Sequence, residues 1–183
     1  MSQFSPQQGK KTLSDFFHLP QDVYNIGRLD EDSEGLLLFT NDKKLNHLLL
    51  NPSFEHEREY WVQVDGVISD EAIRELQTGV TINVQGQYFN TKPAKVFAFD
   101  TEPDVPERNP PVRFRKNIPT SWCSITLREG KNRQVRKMTA KVGFPTIRLI
   151  RHRIEDITLG QLKPGEVIEM NEKEIYKRLG LKK

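Results

Sequence analysis

The chain has 183 residues, of which 36% are hydrophobic, and a single cysteine, so it is long enough to bury a core without disulfide staples. We therefore expect one domain with Cys123 packed inside it as an unreactive thiol. The sequence has no apolar run of the roughly 18 residues that a membrane-spanning helix requires and no apolar N-terminal signal segment, so we expect a cytoplasmic protein with no membrane partner.

The net charge of +3 hides an uneven distribution of charge along the chain. Residues 1–110 carry 10 Lys and Arg against 18 Asp and Glu, whereas residues 111–183 carry 18 against 7. Twelve basic residues and one acid, Glu129, lie between Arg113 and Arg153. Because like charges repel unless a polyanion neutralises them, this basic region favours a nucleic-acid partner over a face that is merely solvated.

Short apolar segments alternate with turn residues in the first half of the chain. The predicted elements are a short helix at 11–17, strands at 23–26 and 36–39, a helix at 43–50, a strand at 58–65, a helix at 70–78 with Ser69 as its N-cap, and a hairpin of strands at 80–84 and 87–90. The helix at 11–17 would bury Leu13, Phe16 and Phe17, and the pair Asn51-Pro52 ends the helix at 43–50.

The second half predicts more strands than helices. Its elements are strands at 94–99, 120–128, 146–154 and 165–170, a helix at 131–142, and a last short helix capped by Asn171. The proline-rich segment 100–119 fits a loop lying along RNA, because Arg108 and the basic residues at 113–116 fall in its second half. Strands outnumber helices and many neighbours are hairpin-like, which indicates an α+β domain with a mainly antiparallel sheet.

Polar chemistry is concentrated in the stretch 27–42, where a loop runs directly into an apolar strand. The loop holds Arg28, Asp30, Asp32 and Ser33, and a rigid strand behind such a loop is a common way to hold functional groups. We expect the active site there. A lone aspartate in a loop more often stabilises a turn or caps a helix. A catalytic role for Asp30 is therefore indicated by the motif around it and not by the residue alone.

Three separated stretches together resemble one family: GRLDEDSEGLL at 27–37, REY at 58–60 and EGKNRQVRKM at 129–138. The chain is similar to the small ribosomal-RNA pseudouridine synthases that share a Gly-Arg-Leu-Asp signature. Segments at 108–111, 118–122 and 142–146 further resemble members that act on large-subunit (23S) ribosomal RNA.

The resemblance implies an isomerase of the pseudouridine synthase fold: a mixed, mainly antiparallel sheet with flanking helices and a central cleft. It implies one catalytic domain over 1–183, with two small lobes and no separate N-terminal RNA-binding domain, acting as a monomer. In the reaction the glycosidic bond of uridine is cut, the uracil rotates, and its C5 is joined to the same ribose. No cofactor and no metal is implied, and the histidines and Cys123 show no ligand spacing.

The family motifs assign roles to four side chains. Asp30 matches the catalytic aspartate, which either attacks the ribose or deprotonates it; the sequence leaves both routes open. Arg136 matches the basic residue that pairs with this aspartate, whereas we expect Arg133 to face phosphate. Tyr60 matches the tyrosine that lies against the target base, and by strand alternation Trp61 faces the other way.

We expect RNA contact from a larger set of side chains: Arg28, Arg113, Arg115, Lys116, Lys131, Asn132, Arg133, Gln134, Arg148 and Arg151. Arg28 would either fill the space left by the flipped nucleotide or contact a phosphate, while Asp32 and Ser33 would shape the loop through bonds to its backbone. Two other functions fit less of the sequence. A non-catalytic module that binds ribosomal RNA has no use for Asp30, and hydrolysis by Asp30 and Asp32 lacks a suitable general acid.

Overall fold

The computed structural model describes residues 2–5, 9–112 and 118–182. The strands are β1 (Tyr24–Ile26), β2 (Glu34–Gly35), β3 (Leu38–Thr40), β4 (Arg58–Asp65), β5 (Thr81–Val84), β6 (Gln87–Asn90), β7 (Lys95–Ala98), β8 (Thr120–Leu127), β9 (Thr146–Ile154) and β10 (Ile157–Thr158). The helices are α1 (Lys43–Leu50), α2 (Asp70–Thr78), α3 (Gln134–Lys141) and α4 (Glu172–Arg178).

The main sheet has the strand order β10-β9-β4-β8-β7, and β2 joins it through β9. The β2–β9 pair is parallel, whereas the other pairs of this sheet are antiparallel. β1 pairs with β3 in a separate ribbon, and β5 pairs with β6 in a hairpin that turns at Gln85-Gly86. The predicted α+β class with a mixed, mainly antiparallel sheet is confirmed.

Two hydrophobic clusters support this arrangement. The larger lies where α2 and α3 meet the sheet, and it includes Val62, Leu76 and Met138 with no exposed side-chain surface. The smaller joins α1 and α4 to the β1–β3 ribbon. Cys123 lies in the larger cluster, where burial raises its pKa to about 12, so the prediction of a packed, unreactive thiol is confirmed.

Three predicted elements differ in the structure. The apolar run at 165–170 forms no strand; Val167 and Ile168 are exposed and find no partner strand among the described residues. The helix at 11–17 is reduced to one 3-10 turn at 13–15, and Phe16 is exposed rather than buried. The strand predicted at 36–39 begins only at Leu38, because residues 36–37 connect β2, beside β9, to β3, beside β1.

Candidate active site

Hydrogen bonds to the backbone of the loop hold it in place on both sides of Asp30. The Leu29 amide donates to the Ser2 hydroxyl at 2.9 Å, and that hydroxyl donates back to the Leu29 carbonyl at 2.7 Å. The Ser33 amide then closes a turn on the Asp30 carbonyl at 3.0 Å. The Asp30 carboxylate is left one-third exposed at the edge of the sheet, so it is open to a substrate.

Gly35 fixes the far end of this loop against the main sheet. Its φ is +107°, and a Cβ built on it would lie 2.3 Å from the Arg151 carbonyl oxygen. Any other residue would collide with the β9 backbone, so the glycine of the 27–37 motif allows the close approach of two strands.

Arg133 is the cation nearest to Asp30 in the part of the chain that the structure describes. One of its terminal nitrogens lies 3.7 Å from the Asp30 carboxylate, and both donate to the Asp32 carboxylate, at 2.9 and 2.8 Å. Arg133 adopts a left-handed backbone conformation just before α3 and crosses to the loop from there. The structure therefore places Arg133 beside Asp30, contrary to the predicted pair of Arg136 with Asp30, whereas contact of Arg133 with phosphate remains a prediction.

Arg136 instead binds the loop at Asp32 and is largely buried. Only 11% of its side chain is exposed; it donates to the Asp32 carbonyl at 2.7 Å and lies 3.4 Å from the Asp32 carboxylate. Burial lowers the pKa of Arg136, and the negative charge of Asp32 opposes this effect. The pKa of Asp32 is itself lowered, chiefly by its hydrogen bonds from Arg133. Asp32 is thus the shared partner of two arginines, a role that the sequence analysis missed.

Tyr60 lies in β4 directly opposite Arg151 of β9, and Gly35 of β2 is opposite Arg151 on its other side. The Tyr60 side chain is half-buried against the larger hydrophobic cluster. Trp61 stacks instead on His152, with ring centroids 3.7 Å apart. Arg151 in β9 therefore has Tyr60 of β4 on one side and Gly35 of β2, where the Asp30 loop ends, on the other side.

Three of the polar residues expected to contact RNA are buried. Arg148, 6% exposed, forms two hydrogen bonds with the Glu34 carboxylate and a third with the Pro106 carbonyl. Arg151, 5% exposed, donates to the Leu36 carbonyl at 2.7 Å. The stretch 27–37 covers both side chains, so the structure does not present them on the surface where we expected them to contact RNA.

Gln134 is the third buried residue, with 4% of its surface exposed. Its amide donates to Glu129 at 2.6 Å, and its carbonyl accepts from the Lys131 amide at 2.9 Å. The prediction of RNA contact for Gln134 is wrong, since these bonds use its amide to shape the turn before α3. The same turn presents Arg133 to the loop.

Other residues of the expected RNA-contacting set are on the surface. Arg28, Lys131 and Asn132 are exposed, and the Lys131 ammonium lies 4.6 Å above the Phe89 ring. Arg113, Arg115 and Lys116 lie outside the described residues. Arg108 was not in the predicted set, but its Nε lies 3.2 Å from the Glu34 carboxylate. Its charge also contributes to the lowered pKa of Arg136. The proline-rich loop thus brings a further arginine to the site.

Carboxylates of residues 1–110 form ion pairs with several of the basic residues that lie between Arg113 and Arg153. Arg153 binds the carboxylates of Glu57 and Glu59, and Arg128 also binds Glu57. Arg133 and Arg148 have the carboxylate partners described above. The expectation that this region must repel itself without a polyanion was therefore too strong.

The arrangement places an accessible carboxylate, that of Asp30, beside a guanidinium, and a carboxylate in such a position can act as a nucleophile or general base. Within 2–5, 9–112 and 118–182, no three or more His, Cys, Asp or Glu side chains are grouped so that they could hold a metal ion. In the same described ranges, no helix has the length and apolar character needed to cross a bilayer.

Comparisons with known proteins agree with the three motifs. A family model described as RNA pseudouridylate synthase matches residues 2–141. Ribosomal large subunit pseudouridine synthase E of Vibrio parahaemolyticus is 51% identical over 166 residues, which cover 91% of this chain and 67% of that protein. The protein of the same name from Xanthomonas axonopodis is 48% identical, with 90% and 85% covered. A crystal structure of a pseudouridylate synthase superposes with a TM-score of 0.74 at 28% identity and covers 91% of this chain and 65% of that one.

Proposed function

The chain belongs to the RNA pseudouridylate synthase family, a family of isomerases, and on that basis we propose that it converts a uridine of large-subunit (23S) ribosomal RNA to pseudouridine with Asp30 as its catalytic carboxylate. The substrate follows the names of the relatives from Vibrio and Xanthomonas. We further propose that the chain acts as one catalytic domain, as a monomer in the cytoplasm, with two lobes that flank the substrate.

One observation carries the catalytic assignment: the Asp30 carboxylate is accessible to solvent and faces a guanidinium at 3.7 Å. An accessible carboxylate beside a guanidinium can approach the ribose of a flipped nucleotide, and the guanidinium can stabilise negative charge there. Asp32 is less suited to this role, because both of its oxygens already accept hydrogen bonds from Arg133.

Binding of the RNA would involve the exposed residues around this carboxylate. In our proposal Tyr60 stacks on the extruded uracil, and Arg28, Lys131 and Asn132 contact the backbone on either side. Base stacking on an aromatic ring contributes about 1–3 kcal/mol, comparable with the few kcal/mol that unstacking a base costs. Arg113, Arg115 and Lys116 would extend the contact along the loop that follows Arg108.

The experiment compares wild type and Asp30→Asn for pseudouridine formation in purified large-subunit and small-subunit ribosomal RNA, read by chemical mapping. We expect wild type to modify the large-subunit RNA, and Asp30→Asn to form no product while binding the same RNA. Asp70→Asn, an exposed acid in the first turn of α2, is the matched control and should retain activity. Product formation by Asp30→Asn would refute the catalytic assignment, and RNA binding without product from wild type would indicate a binding module.

A further inference from the structure

Arg151 is a buried cation whose charge has no carboxylate close by in the described structure. Burial is the largest effect on Arg151 and lowers its pKa; the like charge of Arg58 acts in the same direction, and Tyr60 opposes it. Arg148, in the same strand, is buried to a similar degree but has the Glu34 carboxylate as its partner. A buried guanidinium without such a partner is costly, so its presence calls for another reason.

Two of the nitrogen atoms of Arg151 have different surroundings. Nε donates to the Leu36 carbonyl at 2.7 Å, which ties β9 to the segment that follows the Asp30 loop. Nη2 is buried and has no hydrogen-bond partner among the described residues. A buried donor without an acceptor costs about 1–3 kcal/mol, so an acceptor that reaches Nη2 during the reaction cycle would be strongly favoured.

Tyr60 is in the right place to supply that acceptor. It lies opposite Arg151 across the β4–β9 pair, so both side chains project from the same face of the sheet. Tyr60 is near enough to oppose the lowering of the Arg151 pKa, yet Nη2 makes no hydrogen bond in the free chain. Catalytic hydrogen bonds are often loose before the substrate binds and tighten in the complex.

We propose that Arg151 is a positioning residue that orients the Tyr60 hydroxyl and the Asp30 loop at the same time. The proposal rests on the proposed function, in which Tyr60 lies against the target uracil. A guanidinium can only donate hydrogen bonds, so the Tyr60 oxygen that meets Arg151 must accept. The hydroxyl proton of Tyr60 is then directed away from Arg151, and the contact fixes the ring on which the uracil stacks, while Nε holds the Leu36 carbonyl.

The test measures kcat and KM on large-subunit ribosomal RNA for Arg151→Lys, Tyr60→Phe and the double variant. Lysine keeps the charge but cannot hold two acceptors in the fixed geometry of a guanidinium. We expect Arg151→Lys to lower kcat by about 10- to 100-fold with KM changed by less than about threefold. In the Tyr60→Phe background, the same lysine substitution should lower kcat much less, because residues that act through one contact are not additive.

The control is Arg153→Met, which removes a guanidinium from the same strand, where it binds Glu57 and Glu59, and should retain kcat. Equal losses from Arg151→Lys in the wild-type and Tyr60→Phe backgrounds would refute the proposal, as would a wild-type kcat for Arg151→Lys. Failure of Arg151→Lys to fold, judged by circular dichroism, would show a purely structural role and would also refute it. Wild-type activity is measured first, so an inactive wild type counts against the proposed function and not against Arg151.

Discussion

Replacement of Arg136 by methionine removes a buried guanidinium that holds the Asp30 loop at Asp32. Arg136 donates to the Asp32 carbonyl at 2.7 Å, lies 3.4 Å from the Asp32 carboxylate, and is 11% exposed. Hydrogen bonds that involve a charged group contribute about 1.5–3 kcal/mol, and loss of a buried partner also leaves the acceptor unsatisfied. Because the Asp32 carboxylate is 42% exposed, water takes over part of the loss.

We therefore expect Arg136→Met to lower the free energy of unfolding by about 2–3 kcal/mol. Arg133→Met should lower it by only about 0.5–1 kcal/mol, because Arg133 and its partner Asp32 are both 42% exposed and water screens the pair. If Asp30 is the catalytic carboxylate that we propose, both variants should lose activity, since each removes a positive charge beside its loop. A loss of stability in Arg136→Met alone would show that Arg136 supports the loop, whereas Arg133 mainly supplies the positive charge beside Asp30.

The assay is urea denaturation followed by circular dichroism, with the midpoint and slope measured for each variant. Arg178→Met is the control, because its pair with Glu174 lies on an exposed face of α4 and should contribute little. If Arg133→Met destabilises the chain as much as Arg136→Met, burial is not what sets the energetic value of these two arginines, and the reasoning from exposure is refuted.

Two further predictions concern stability. The Glu57 carboxylate binds Lys95, Arg128 and Arg153. These contacts, chiefly the Lys95 hydrogen bond, lower the pKa of Glu57 from 4.5 to about 2, which corresponds to at most about 3 kcal/mol. Two of the cations are more than half exposed, so we expect Glu57→Gln to cost about 1–2 kcal/mol at pH 7. Since the folded pKa lies below the unfolded one, this stabilisation is complete above about pH 5 and is lost as the pH falls towards 2. Urea denaturation at several pH values should show the midpoints of wild type and the Glu57→Gln variant converging in acid, and a constant gap would contradict the assignment. Gly35→Ala should cost about 3 kcal/mol or more in a thermal melt, because its Cβ would meet the Arg151 backbone at 2.3 Å. Gly86→Ala is the matched control, with a positive φ but open space around its Cβ; equal losses in the two variants would show that φ alone matters.

Local pattern was enough to predict most elements of the fold. The strand β4, the Ser69 cap of α2, and the hairpin turn at Gln85-Gly86 are all set by residues a few positions apart, and the structure confirms them. The failures at 11–17 and 165–170 share one cause, since a short apolar run becomes a helix or strand only if another part of the chain covers it.

The position of the site could also be predicted, because the 27–37 motif is contiguous and resembles a family. The pairing of charges within the site could not. Arg133 and Asp32 are separated by 101 positions, and Arg148 and Glu34 by 114, so no pattern in the sequence indicates which acid meets which base. For the same reason Arg148, Arg151 and Gln134 were predicted to contact RNA, although the fold buries them.

The sequence by itself thus determined the class of fold, the family and the loop that holds Asp30. Only the tertiary structure decided that Arg133 rather than Arg136 faces Asp30, that Asp32 joins the two arginines, and that Arg151 is buried beside Tyr60. The physical reason is that hydrophobic periodicity and caps act over a few residues. Charge pairing and burial depend on which distant strands are brought together, and that is a property of the whole fold.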